Sequence, residues 1–175
     1  MTNFALLDEH LRALRLPGIL ANYRRIAGDD AAKLSFLQDL VALEVDRRHE
    51  NGVRARIAAA RFPVIKTIES FDFSLQAQLP KAKLLALLDG RFVSDNINPI
   101  LVGPTGVGKT HVLTAIGLAA CTAGYRVLFT TAAELCMNLI AAKREDRLKH
   151  RLANYDRYQL ILIDELGYVP FERGY

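Results

Sequence analysis

The residues best suited to chemistry form an unbroken run in the second half of the chain, at positions 103–110. Glycines allow a tight turn whose amide N–H groups can approach phosphate oxygens. We expect Lys109 to reach the β- and γ-phosphates of ATP, and Thr110 to bind Mg²⁺ through its hydroxyl. His111 is a further candidate through proximity alone, with an ordinary helix residue as the alternative. The full run matches the pattern Gly-x-x-x-x-Gly-Lys-Ser/Thr and consists of Gly103, Pro104, Thr105, Gly106, Val107, Gly108, Lys109 and Thr110.

Two acidic residues, Asp164 and Glu165, directly follow an apolar run at residues 160–163. A buried strand that ends there would place both carboxylates at the carboxyl edge of a parallel sheet, beside the loop after the first strand. We expect Asp164 to hold Mg²⁺ through water, and Glu165 to orient or deprotonate the attacking water as a general base. Lys109 and Glu165 are therefore the predicted catalytic residues, and Thr110 and Asp164 the predicted metal ligands.

The pattern of apolar residues predicts helices in the first half of the chain and alternating strands and helices in the second. Apolar residues recur every three or four positions up to about residue 88, with turn signals at residues 17–18, 28–30, 51–52 and 62–63. Predicted strands cover residues 100–102, 126–130 and 159–164, and predicted helices cover 109–123 and 143–153. Thr131 and Glu134 have capping-box spacing, which predicts another helix after the second strand. This alternation favours an α/β fold with a parallel sheet.

Basic residues are concentrated in one segment of the chain. The whole chain has a formal net charge of +4, whereas residues 47–66 contain six Lys and Arg residues and one acidic residue. Arginines on a helix match the geometry of a phosphate backbone, so this segment is a candidate DNA-binding surface. A solvated helix face is the alternative, and it is the preferred interpretation of a more mixed cluster at residues 143–157. The candidate DNA contacts are Arg47, Arg48, Arg54, Arg56 and Arg61.

The composition favours an ordered protein of the cytoplasm. Hydrophobic residues make up 51% of the chain and charged residues 24%, as in ordinary globular proteins. Cys121 and Cys136 lack the spacing of a zinc site and the density of a disulfide framework. The first ten residues do not have the pattern of a secretory signal, and no apolar run reaches the roughly 18 residues of a membrane helix. We therefore expect a soluble cytoplasmic protein with no membrane partner.

Together these residues resemble the IstB-like ATP-binding proteins, helper ATPases of an insertion-sequence transposition system that are related to the DnaC-type helicase loaders of the AAA+ superfamily. The resemblance extends beyond residues 103–111 to segments 14–18, 59–63, 124–127, 129–135 and 163–168. It implies an ATP-dependent helper that binds DNA with little sequence preference, assembles into a homo-oligomer and recruits or stimulates a transposase. ATP and Mg²⁺ are the implied cofactors, and DNA and a transposase are the implied partners.

The resemblance also implies a fold class and a division of the chain. We expect a P-loop NTPase (AAA+) parallel-sheet domain of the α/β class, incomplete at the C-terminus and preceded by a small all-helical domain. The helical domain, which would bind DNA or a partner, is expected at residues 1–70, a linker and helix at 71–98, and the first part of the ATPase domain at 99–175. Family members continue well beyond the acidic pair Asp164 and Glu165, so the chain is expected to be truncated. The strand at residues 100–102 would then lack both sheet neighbours and leave backbone groups unpaired.

Three other interpretations stay open at this point. A replicative helicase loader of the DnaC type would carry the same motifs. A non-enzymatic remnant would bind DNA or a partner through its helical half while the nucleotide half stays unfolded. The third is a small-molecule kinase of the P-loop class, although an acid directly after Asp164 favours hydrolysis of ATP over transfer to a small substrate.

Overall fold

The computed structural model describes residues 4–28, 30–75 and 79–168 of the chain. The chain divides into two compact units, residues 1–52 and 53–175. This division falls inside one long helix, whereas the sequence places the end of the helical domain near residue 70. The difference arises because late residues of that helix, Ile57 and Ala60, belong to the hydrophobic core of the second unit.

The first unit consists of α1 (Phe4–Ala13), α2 (Pro17–Ala27) and the first part of α3 (Ala31–Ala60). Asp30 begins α3, because its Oδ1 accepts hydrogen bonds from the amides of Ala32 at 3.1 Å and Lys33 at 3.2 Å. A hydrogen bond from the Lys33 ammonium holds the pKa of Asp30 below its ordinary value. The buried side chains of this unit are Leu7, Leu11, Leu14, Tyr23, Leu34 and Val41.

The turn predicted at residues 51–52 is wrong, because α3 continues through Asn51 and Gly52. A glycine inside a helix costs about 1 kcal/mol relative to alanine. Burial of apolar side chains on both sides of it contributes more, since Val41 is buried in the first unit and Ala60 in the second. Packing of the helix therefore outweighs a local turn signal.

The other three predicted breaks coincide with helix ends. Pro17 opens α2, where its missing N–H is not needed. The break at 28–30 lies between α2 and α3, with Asp29 itself outside the described residues. α3 ends at Ala60, directly before the break at 62–63.

The second unit adds five α-helices and two strands to the end of α3 within the described residues. Short 3₁₀ turns cover Ile68–Ser70, Phe73–Leu75, Leu87–Asp89 and Leu166–Tyr168. The α-helices and strands, in order, are α4 (Lys81–Ala86), α5 (Arg91–Ser94), α6 (Lys109–Thr122), β1 (Val127–Thr131), α7 (Ala132–Arg144), α8 (Leu148–Tyr155) and β2 (Leu160–Asp164).

β1 and β2 form a parallel sheet, as the alternation in the sequence predicts. The register pairs Val127 with Leu160 and Thr131 with Asp164, so both strands end at the same edge. α6 packs closely on the sheet, since a Cβ added to Gly117 would lie 2.5 Å from Cδ1 of Leu162. The sheet edge at Thr131 and Asp164 is therefore where β2 delivers the acidic residues that follow it.

Residues 100–102 form no strand, so this prediction is wrong. Ile100 and Val102 are 75% and 90% exposed, and the described residues contain one sheet, made of β1 and β2. A strand is held by hydrogen bonds to a neighbouring strand, and within the described part of the chain no strand pairs with this segment. The apolar composition of the segment is therefore present without the pairing that would make it a strand.

The charged helix predicted at residues 143–153 is divided between two helices. α7 ends at Arg144 and α8 begins at Leu148, with a left-handed residue, Asp146 (φ 54°), between them. The predicted capping box is confirmed at the start of α7, where the Thr131 side chain accepts a hydrogen bond of 3.1 Å from the Glu134 amide. The ends of α6, β1 and β2 differ from their predicted positions by no more than one residue.

Two groups of buried side chains form the core of the second unit. Burial raises the pKa of the Cys121 thiol, which packs as an apolar side chain. The group beside the sheet contains Ala60, Ala120, Cys121, Val127, Phe129 and Leu162. The group around the start of α6 contains Phe71, Leu84, Phe92, Val112 and Ile116. Across the described residues, no helix is both long enough and apolar enough to cross a bilayer.

Candidate nucleotide-binding site

The predicted phosphate-binding loop leads directly into α6. Gly106 and Gly108 have left-handed backbones, with φ of 82° and 90°, which residues with a Cβ rarely adopt. Gly108 caps α6, so the amide groups of the first helical turn, which have no partner within the helix, lie at the loop. The positive end of the helix dipole is at the same place. This arrangement suits the binding of an anion such as phosphate.

The ammonium group of Lys109 lies inside the loop. Its Nζ donates hydrogen bonds to the carbonyl oxygens of Gly103 at 2.9 Å and Pro104 at 2.6 Å. Thr105 is exposed, and Val107 is half-buried and close to Gly103. Because an ammonium group carries three donors, it can serve phosphate oxygens from this position as well.

Thr110 and Asp164 meet although they lie 54 positions apart in the sequence. The Thr110 hydroxyl donates to Oδ2 of Asp164 at 2.7 Å, and the amide of Glu165 donates to Oδ1 of Asp164 at 3.0 Å. Both oxygens of the carboxylate therefore have a fixed partner. The start of α6 and the end of β2 are joined at one point, as the two motifs in the sequence require.

Glu165 leaves the strand in a left-handed conformation, with φ of 58°. Such a backbone is uncommon for residues other than glycine and typically costs on the order of 1 kcal/mol or more. Its side chain is exposed. The conformation turns the chain directly after Asp164, and the role of Glu165 as a general base stays a prediction.

His111 contacts the turn before the site. Its Nε2 lies 2.8 Å from the carbonyl oxygen of Thr67 and 3.3 Å from Oγ of Ser70. Its ring also packs edge to face on Phe71, with 5.1 Å between the ring centroids. A direct contact between His111 and a nucleotide stays a prediction. The sequence did not predict the contacts that His111 makes with Thr67, Ser70 and Phe71.

Phe71 and Phe73 pack against each other in the segment that leads to the loop, with their ring centroids 5.0 Å apart. Phe71 is 9% exposed and belongs to the core around the start of α6. A Cβ added to Gly108 would lie 2.7 Å from Cε2 of Phe71. Phe71 therefore packs against the phosphate-binding loop at Gly108.

The candidate DNA contacts differ in their surroundings. In the first unit, Arg47 is exposed, while Arg48 donates to Glu44 at 2.8 Å and to the carbonyl oxygen of Leu14 at 3.2 Å. In the second unit, Arg54 and Arg61 are exposed. Arg56 is half-buried, and its Nε donates to the carbonyl oxygen of Cys121 in α6 at 2.7 Å.

The contact made by Arg56 gives this residue a structural role that its charge alone did not indicate. The last carbonyl groups of a helix have no partner within the helix, and a cation there is favourable. A contact of any of the five arginines with DNA stays a prediction.

A comparison with known families decides what this combination of loop, acidic strand end and helical unit represents. The sequence profile of the family described as IstB-like ATP binding protein matches residues 9–175. The chain belongs to this family. IstB-like proteins have the AAA+ fold, so the parallel strands β1 and β2 with α6 are part of a P-loop NTPase domain.

Relatives of this IstB-like protein are named as ATP-binding proteins of insertion sequences. One from insertion sequence IS232 of Bacillus thuringiensis subsp. berliner is 38% identical over 143 residues, covering 80% of this chain and 57% of the relative. One from IS21 of Pseudomonas aeruginosa is 39% identical, covering 79% and 52%. One from Sinorhizobium fredii is 36% identical, covering 94% and 57%. The chain thus spans somewhat more than half the length of these relatives.

The site of this IstB-like chain fits ATP with magnesium. Thr110 and Asp164 supply hydroxyl and carboxylate oxygens, which are the ligands that Mg²⁺ prefers. Two such residues are sufficient, because Mg²⁺ in nucleotide sites keeps water molecules and takes its other ligands from the phosphates. The glycine-rich turn, the first amides of α6 and the Lys109 ammonium supply hydrogen-bond donors for those phosphates.

We expect Gly108→Ala to lower both the stability of the IstB-like chain and its affinity for ATP. Alanine at φ 90° is strained, which typically costs about 1–3 kcal/mol, and its Cβ would also displace the ring of Phe71. Urea unfolding should show the loss of stability, and titration with ATP should show weaker binding. Gly124→Ala is the matched control, since Gly124 also has a positive φ (101°) but no atom within 4 Å of an added Cβ. Equal ATP affinity in both variants would contradict the prediction.

Proposed function

We propose that this protein binds ATP with Mg²⁺ at residues 103–110 and Asp164, and that it serves as the ATP-binding helper of a transposase. The observation that supports the ATP site most strongly is the hydrogen bond of 2.7 Å between Thr110 and Asp164. It brings a hydroxyl from the phosphate loop and a carboxylate from the strand end to one point, where a divalent cation needs them.

Each residue of the site has a distinct task in this proposal. The amides at the start of α6 would bind phosphate oxygens, and the donor of the Lys109 ammonium that is not bonded to the loop carbonyls would reach the β- and γ-phosphates. Thr110 and Asp164 would hold Mg²⁺, and the ion would neutralise negative charge on the phosphates. Glu165 orients the attacking water and accepts its proton.

Binding of ATP is tested directly by titrating the protein with a fluorescent ATP analogue, with Mg²⁺ and with EDTA. We expect saturable binding that Mg²⁺ strengthens and that unlabelled ATP displaces. Thr110→Ala should reduce the effect of Mg²⁺, because it removes one ligand, whereas Thr122→Ala at the opposite end of α6 should not. Absence of binding by the unmodified protein would refute the proposed site.

The role in transposition rests on the family and on the names of its relatives, which are ATP-binding proteins of insertion sequences. In this role the protein works in the cytoplasm and contacts the backbone phosphates of DNA. It also assembles into a homo-oligomer and assists a transposase. The basic residues between positions 47 and 61 provide charge for the DNA contact. A strand-transfer assay with the transposase of the same insertion sequence tests the role, and an unchanged rate with and without the protein and ATP would contradict it.

DNA binding by these arginines makes a prediction about salt. If about four cations contact phosphates, a roughly fourfold rise in salt should weaken binding about a hundredfold, since each contact adds about −0.9 to the slope of log K against log salt. Replacing Arg47 and Arg61 by alanine removes two of these contacts, so the slope of log K against log salt should become less steep by about 1.8. The matched control replaces Lys149 and Arg151 of α8, which belong to the more mixed cluster. If the slope changed more in this control than in the variant that lacks Arg47 and Arg61, the DNA contact would be assigned to α8 instead.

A further inference from the structure

The side chain of His111 forms a defined link between α6 and the 3₁₀ turn Ile68–Ser70. A carbonyl oxygen can only accept a hydrogen bond, so Nε2 of His111 must carry the proton in its 2.8 Å contact with the oxygen of Thr67. Oγ of Ser70 donates to the same oxygen at 2.8 Å. Two side-chain donors therefore converge on one backbone carbonyl, and one of them comes from a residue 44 positions later in the chain.

The ring of Phe71 makes a second contact between this segment and the start of α6. Phe71, directly after the turn, packs edge to face on His111, and its ring lies where a Cβ on Gly108 would be. Its ring is buried together with Val112 and Ile116 of α6. The turn and the residue that follows it therefore contact Gly108, which caps α6, and His111, and these two positions flank Lys109 and Thr110.

We propose that His111 is a positioning residue, which couples residues 67–71, the segment that contains this turn, to the phosphate loop. His111 fixes the first turn of α6 against the Thr67 carbonyl, so that the amides at the start of the helix and Lys109 are held in place to receive phosphate. Coupling of this kind is reciprocal, because a turn that favours nucleotide binding must itself be ordered by the nucleotide to the same degree. The proposal rests on the proposed ATP site and adds a positioning residue to it.

Three substitutions at position 111 separate this role from a merely structural one. His111→Ala removes the donor. His111→Gln restores a donor at about the reach of Nε2, whereas His111→Asn keeps an amide that is too short to reach Thr67. The loss of one hydrogen bond of ordinary strength corresponds to a change of about two- to tenfold in an equilibrium constant. We expect ATP with Mg²⁺ to bind about two- to tenfold more weakly to the Ala and Asn variants, and with nearly the original affinity to the Gln variant.

Amide hydrogen exchange reports the coupling at its other end. The amides of Ser70 and Phe71 donate to the oxygens of Thr67 and Ile68 at 3.3 and 3.1 Å, so their exchange rates measure how well the turn is formed. In the unmodified protein, ATP with Mg²⁺ should slow exchange at both amides. This slowing should be lost in His111→Ala and retained in His111→Gln. Thr122→Ala, which removes a side-chain hydrogen bond to Leu118 at the far end of α6, should leave both measurements unchanged.

The two proposals fail in different ways. If the unmodified protein binds no ATP, the proposed site is refuted and the coupling with it. If the unmodified protein binds ATP but the Ala and Asn variants bind it equally well once folded, the coupling alone is refuted. Weaker binding in all three variants with no rescue by glutamine, or no effect of ATP on exchange at Ser70 and Phe71, also refutes it.

Discussion

ATP should no longer bind measurably when Lys109 is replaced by alanine. Lys109 brings its charge into a loop whose other donors are neutral amides, and hydrogen bonds from a charged donor are roughly twice as strong as neutral ones. We expect the affinity for ATP to fall at least about a hundredfold, which corresponds to about 2.7 kcal/mol. Equilibrium titration with a fluorescent ATP analogue measures this loss.

Two further variants make the Lys109 result interpretable. Lys109→Met keeps the apolar stem of the side chain, so it should lose ATP binding while the protein stays folded. Lys149→Ala removes the same charge from the start of α8 and should bind ATP like the unmodified protein. If the Lys109 and Lys149 variants lost affinity equally, general charge would explain the effect and the loop would not.

Replacing Asp164 by asparagine should abolish the strengthening of ATP binding by Mg²⁺. Asparagine keeps an oxygen that can accept the hydrogen bond from Thr110, so the contact between α6 and β2 can persist while the negative charge is lost. We therefore expect ATP affinities that are the same with Mg²⁺ and with EDTA. The unfolding midpoint should fall only slightly, because the substitution removes one exposed hydrogen bond, the one from the Glu165 amide. A variant that still binds ATP more tightly with Mg²⁺ would remove Asp164 from the metal site.

The neighbouring acid provides the matched comparison. Glu165→Gln should keep Mg²⁺-dependent binding of ATP, because the side chain is exposed and is not assigned to the metal. Its rate of ATP hydrolysis should fall about 10²–10⁴-fold, the usual contribution of a general base. Single-turnover release of phosphate from a protein of the full length of its relatives measures this rate. Equal rates in the unmodified and Gln proteins would refute the role of Glu165.

The local features of the phosphate loop can be predicted from the sequence, whereas the strand predicted directly before it cannot. Glycines with positive φ, a lysine within the loop and a hydroxyl at the helix start are local requirements of phosphate binding, so residues 106–110 carry them in a readable order. The strand at residues 100–102 could not be predicted in the same way, because a strand depends on a neighbour elsewhere in the chain. Its apolar residues satisfy the local pattern but have no paired strand within the described residues.

Two other contacts between distant residues could not be predicted from the sequence. The link from His111 to Thr67 spans 44 positions, and that from Arg56 to Cys121 spans 65. Neither a histidine after the loop nor an arginine in a basic helix indicates a particular backbone carbonyl as its partner. The helix through Gly52 is a different case, since a local signal was present there and tertiary packing overrode it.

The hydrogen bond between Thr110 and Asp164 also closes a ring in the chain. The enclosed segment contains most of α6, both strands, α7 and α8, and the entropy lost on closing such a loop grows only with the logarithm of its length. A ligand bound to both side chains would hold this ring shut, because it would have to leave before the segment could open. ATP with Mg²⁺ should therefore raise the melting temperature of the whole segment together, by an amount set by ligand concentration relative to Kd.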